Sequence, residues 1–78
     1  MTNLTREDLE NRIKYHRPDQ DGIDRIAQMR RLALDFGNGI RQMCPPGHEQ
    51  DQAIANLEQT LFWANAGIAR DPEHRADK

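Results

Sequence analysis

Cys44-Pro45-Pro46-Gly47 stands between two long stretches of helical spacing, and the reading of this corner decides the fold. Two successive prolines remove two N–H donors and fix φ twice, so the chain must turn here. Upstream, residues 19–43 carry one apolar stripe of Ile23, Ile26, Ala27, Ala33, Leu34, Gly37 and Ile40. A second stripe is Met29, Leu32, Phe36 and Met43. Downstream, residues 49–70 carry Ile54, Leu57, Leu61, Ala64 and Ile68 in steps of three and four, which is one continuous seam. A second row there is Ala55, Phe62, Ala66 and Ala69. The pattern predicts an all-α protein built on a long antiparallel helical hairpin. Each arm has two apolar faces, and a hairpin covers only one.

Working outward, Thr5-Arg6-Glu7-Asp8 resembles an N-cap followed by acids that suit a helix dipole, so residues 5–14 read as a short N-terminal helix. Leu9 and Ile13 share a face of it. Tyr15-His16-Arg17-Pro18 ends this helix, because Pro18 disfavours helical geometry at Arg17. Asp19 is then the cap of the long helix, with Gly22 a cost in its first turn. Gly37-Asn38-Gly39 permits two readings: a break, or a continuous helix whose glycines admit a close neighbour. The second is preferred. Asp71-Pro72 closes the last helix. A single domain is expected over residues 1–78, with its core at 5–71 and a frayed polar tail at 72–78.

A chain of 78 residues has a small margin for a core and commonly needs a disulfide, a metal or self-association. Cys44 is the one cysteine, and His16, His48 and His74 lack metal-ligand spacing. Self-association remains. The formal charge of −2 mixes 11 basic and 13 acidic residues, which disfavours duplex DNA and anionic membranes as partners. No signal peptide and no membrane span are read, so a reducing cytoplasm is the expected setting.

No catalytic constellation is found. Serine is absent, Cys44 has no activating base in view, and no phosphate-binding glycine loop is present. Asp19, Asp21 and Asp24 are explained by helix capping rather than by calcium. Neither a cofactor nor a metal is expected, and the chain is read as a binding protein rather than an enzyme. The Tyr15-His16-Arg17 corner places an aromatic ring beside cationic donors, a pairing able to stack on a base and bind phosphate. Arg30 interrupts the first apolar stripe between Ala27 and Ala33. It either snorkels to the hairpin edge or points into a cavity holding an anion. Arg70 either complements the dipole of the last helix or donates to phosphate at a subunit junction.

Tyr15-His16-Arg17-Pro18, Met29-Arg30, the Pro-Pro corner and above all Phe62-Trp63-Ala64-Asn65-Ala66-Gly67-Ile68-Ala69-Arg70 resemble the phage anti-CBASS cyclic-oligonucleotide sponges. CBASS is a bacterial antiphage system that signals with cyclic oligonucleotides. The helical hairpin is shared with the Thoeris anti-defence sponges, and the resemblance covers about residues 13–70. It implies a homohexamer in the cytoplasm of the infected host, sequestering cyclic dinucleotides and, in several members, cyclic trinucleotides. By position it implies that Tyr15 stacks on a purine, Arg30 pairs with phosphate, with Arg31 as an adjacent competitor, and His16 borders that pocket. Asn65 and Arg70 would face the trinucleotide site. The alternative reading is a small helical protein–protein adaptor of phage or prophage origin.

Overall fold

Three helices follow one another in the expected order: α1 (Arg6–Ile13), α2 (Gln20–Met43) and α3 (His48–Arg70), then a 3-10 turn at Pro72–His74. The structure is a computed structural model and describes residues 4–74. The last four residues of the expected tail, 75–78, lie outside the described residues. The part of that tail within them, Pro72–His74, forms the 3-10 turn and touches α2.

Local chemistry sets each helix start. Thr5 accepts from the Asp8 N–H at 3.0 Å, and the Asp8 carboxylate accepts from the Thr5 N–H at 3.3 Å, a reciprocal capping box. Asp19 caps α2 by accepting from the Gly22 N–H at 2.9 Å. Gly22 is the one buried residue among those described. α3 has no side-chain cap, and its N-cap is Gly47 at φ 151, a backbone conformation that only glycine adopts freely. The corner is tied from the other side. Gln50, in the first turns of α3, donates from Nε2 to the Cys44 carbonyl at 2.9 Å and to the Arg41 carbonyl at 3.5 Å. These are carbonyls that the end of α2 leaves without helical partners.

α2 runs unbroken through Gly37-Asn38-Gly39. Gly37 faces α3: a Cβ built there would stand 3.4 Å from Leu57 Cδ2 and 4.0 Å from Ile54 Cδ1. Gly39 would meet only Met43 of its own helix, at 3.9 Å. One glycine of the pair therefore serves the seam between the helices.

α2 and α3 pack against each other along their length, and this is the main tertiary contact of the protomer. The molecule measures 45 × 32 × 16 Å. Its least dimension falls short of two helix diameters of ~10–12 Å each, so the chain is close to a single layer. A single layer has no interior. Among the described residues no hydrophobic side chain is buried, and Met43, Phe36 and Trp63 keep 85%, 65% and 68% of their surface exposed. The accessible surface is 6466 Å² for 9.0 kDa. A compact monomer of that mass exposes roughly 4,900 Å².

With so little packing in reserve, the caps carry a large share of helix stability. Asp19→Ala should lower stability by about 1 kcal/mol. It should be read as a reduced urea midpoint at fixed protomer concentration, with Asp19→Asn recovering most of the loss.

Candidate ligand-binding site

Two grooves flank the α2–α3 seam. Three residues of α2 define them: Ala33 lies on the seam and lines both grooves, while Met29 and Arg30 fall on opposite sides of it. The first groove, of about 450 Å³, is lined by Met29, Leu32, Phe36 and Ile40 of α2 facing Leu57 and Leu61 of α3. It continues toward the corner past Gly39, Met43 and Cys44. The second apolar stripe read from the sequence thus forms one wall of an open trough. The opposite groove, of about 370 Å³, has an apolar floor that includes Leu34, Gly37, Ile54 and Leu57. Arg30, Asn38 and Glu58 are its polar members.

Arg30 is exposed and lines that groove, and it makes no ion pair or hydrogen bond with any described residue. Other arginines are engaged: Arg6 pairs with Glu10 at 3.3 Å and Arg25 with Asp21 at 2.8 Å. An Arg without a carboxylate at the margin of an apolar trough has its five donors available to an anion. Arg31, the adjacent competitor, points about 100° further round the helix.

Tyr15 sits in the α1–α2 loop with 81% of its surface exposed. Its neighbour His16 is turned inward and donates from Nε2 to the Asn11 carbonyl at 2.6 Å. Arg70 reaches back from the end of α3 to donate from Nη2 to the Arg12 carbonyl at 3.3 Å. The Lys14 N–H takes the Glu10 carbonyl at 2.9 Å. The last carbonyls of α1 are therefore satisfied one after another, two of them by residues that the sequence reading placed in binding sites. His16 and Arg70 hold the short helix down, and the loop that displays Tyr15 is fixed between them.

Asn65 presents a different condition. Its Oδ1 is buried and has no hydrogen-bond partner among the described residues. A buried acceptor left unpaired costs about 1–3 kcal/mol, so a donor from outside the protomer has something to gain there. Asn65 and Arg70 are five residues apart, which turns them about 140° from each other around α3.

The protomer thus gathers Tyr15, His16 and Arg70 at the C-terminal end of α1. Arg30 stands apart: its turn of α2 lies about 15 Å beyond Gln20, and it lines a different depression from His16. No contact within one chain joins Tyr15 to Arg30 among the interactions described.

This arrangement defines a class: a small helical hairpin with an uncommitted guanidinium, Arg30, and an exposed ring, Tyr15, beside open apolar surfaces. Within that class, the family model described as the Acb2/Tad1 hairpin domain matches residues 5–69, and the chain belongs to that family. The family is that of the anti-CBASS and anti-Thoeris sponges, which are binding proteins rather than enzymes. Comparison with curated proteins and with solved structures returns no match. Among the described residues no helix is long and apolar enough to cross a membrane.

The Arg70–Arg12 bond makes a specific expectation. Arg70→Ala should speed amide hydrogen exchange several-fold across α1 while leaving the middle of α2 and α3 unchanged. Equal acceleration everywhere would show that Arg70 supports the whole fold rather than the docking of α1.

Proposed function

We propose that this protein is a phage anti-defence sponge that binds cyclic dinucleotide messengers intact and thereby blocks activation of CBASS effectors in the host cytoplasm. The observation that carries the reading is the family match over residues 5–69. The geometry supports it. Tyr15 offers an exposed ring for stacking on a base, and Arg30 offers an uncommitted guanidinium for a phosphodiester.

The same reading makes the working unit a homo-oligomer, with a hexamer as the expected state. The protomer exposes roughly 1,600 Å² more than a compact chain of its mass, about the total area that a stable protein interface removes from water. The trough walled by Met29, Leu32, Phe36 and Met43 and the outward-facing Phe62 and Trp63 are the surfaces available for it. A two-fold partner also answers the separation of Tyr15 from Arg30. Across such an interface each residue appears twice, and Tyr15 of one copy can share a pocket with Arg30 of another. A symmetric cyclic dinucleotide suits a pocket built that way. Cyclic trinucleotides would occupy a separate site bordered by Asn65 and Arg70, where the orphaned Asn65 Oδ1 accepts a donor.

Two measurements test the reading. Calorimetry with a panel of cyclic di- and trinucleotides should show micromolar or tighter binding, with unaltered nucleotide recovered after heating the complex. Tyr15→Ala should weaken dinucleotide binding roughly tenfold, and Arg30→Ala at least as much. Absence of binding across the panel rejects the sponge in favour of the adaptor. Sedimentation should separately show an assembly at micromolar protomer. A stable folded monomer would remove the shared pocket.

A further inference from the structure

The groove that holds Arg30 also holds one carboxylate, Glu58 of α3, on a floor that is otherwise apolar apart from Asn38. Glu58 forms no ion pair or hydrogen bond with any described residue. It is not within ion-pair distance of Arg30, since neither residue takes part in a salt bridge. Several acids of this chain have an ordinary structural task. Glu10, Asp21 and Asp24 bind neighbours on their own helices, and Asp8 and Asp19 cap helix starts. Glu58 has none of these tasks. It adds a full negative charge to the trough in which an anion is to be held.

A carboxylate near an anion site raises the cost of binding in proportion to the charge brought in. A phosphodiester carries one negative charge per phosphate. A terminal phosphate carries close to two at neutral pH, and linear nucleotides with such ends are the chemically nearest competitors of a cyclic one. Arg30 alone would favour the more highly charged group. Glu58 in the same groove weakens that preference, because the second charge gains from Arg30 but is opposed by Glu58. Both side chains are exposed, so water and salt screen the effect to a modest size.

We infer that Glu58 is a charge filter for the Arg30 groove, lowering affinity for terminal phosphate groups more than for phosphodiesters. The inference rests on the sponge reading and adds to it a reason for choosing closed rings over open chains. It makes Glu58 a specificity residue that acts on the ligand through its field, without forming a hydrogen bond to it.

The test compares one cyclic dinucleotide with its linear counterpart bearing a 5′-phosphate, on the full chain and on Glu58→Gln. Glutamine keeps the shape and nearly the helix propensity of glutamate, and thermal melting with light scattering checks fold and assembly. In Glu58→Gln, affinity for the linear ligand should rise about threefold to fourfold and affinity for the cyclic one about twofold or less. Equal changes for both ligands, or no change, overturn the inference while a loss of binding in Arg30→Ala leaves the sponge standing. Dissociation of the assembly in Glu58→Gln would likewise overturn it, by showing Glu58 to be an interface residue. If the full chain binds neither ligand, the sponge reading falls, and the filter falls with it.

Discussion

A helix lying against one other helix can hide about a third of its circumference, and every other feature of this molecule is arranged around that limit. At Gly37 the seam meets Leu57 and Ile54, which stand at van der Waals distance from where a Cβ would be. A single seam leaves a trough on either side. Met29 and Phe36 fall on one flank of the seam, and Arg30 and Leu34 fall on the other. Arg30 reaches its position by arithmetic alone: it precedes Ala33 by three residues, and three residues turn a helix 300°. An apolar residue there would widen the seam. On the sponge reading, a cation there gives one trough a partner for an anion.

Because no core holds the protomer, its polar bonds take on work that packing does elsewhere. Thr5 with Asp8, Asp19 and Gln50 fix helix ends through caps. His16 and Arg70 fix α1 through its own carbonyls. Three of these five bonds are part-buried and two are exposed, and each contributes only about 1 kcal/mol alone. Together they set the loop between α1 and α2, and with it the stance of Tyr15. The residues that border the candidate site are thus also the ones that hold its geometry, and binding and local folding there draw on the same side chains.

The hairpin was legible because its signals are local. Periodicity gave both long helices, Asp19 gave one start, and Pro45-Pro46 gave the turn. The boundaries at Gln20, Met43 and Arg70 follow within a residue. Arg30 was visible as a charge on an apolar stripe, and its place at the margin of a groove settles where it lies. The remainder depends on register between distant segments, which periodicity does not encode. Nothing in the sequence aligns Arg70 with the Arg12 carbonyl, 58 residues away. Nothing aims Gln50 at the end of α2, leaves Asn65 Oδ1 without a donor, or sets Glu58 opposite Arg30 across the seam. Arg70 was read as a dipole charge or a phosphate donor, and its bond to α1 is a third role that only the packed hairpin reveals.

On the sponge reading, the same shortage of core that drives assembly also governs affinity. A ligand held between copies binds the assembled state and not the separate protomers, so its binding free energy adds to the stability of the assembly. The reverse also holds: copies already joined present a pocket whose walls need no further ordering, which lowers the cost of binding. A protein that folded fully on its own would separate these two effects. In a single-layer protomer they are one equilibrium, and the amount of protein made determines how strongly each copy holds its ligand. For a protein that acts by sequestration rather than turnover, abundance then contributes twice, once to the number of sites and once to how well each site is formed.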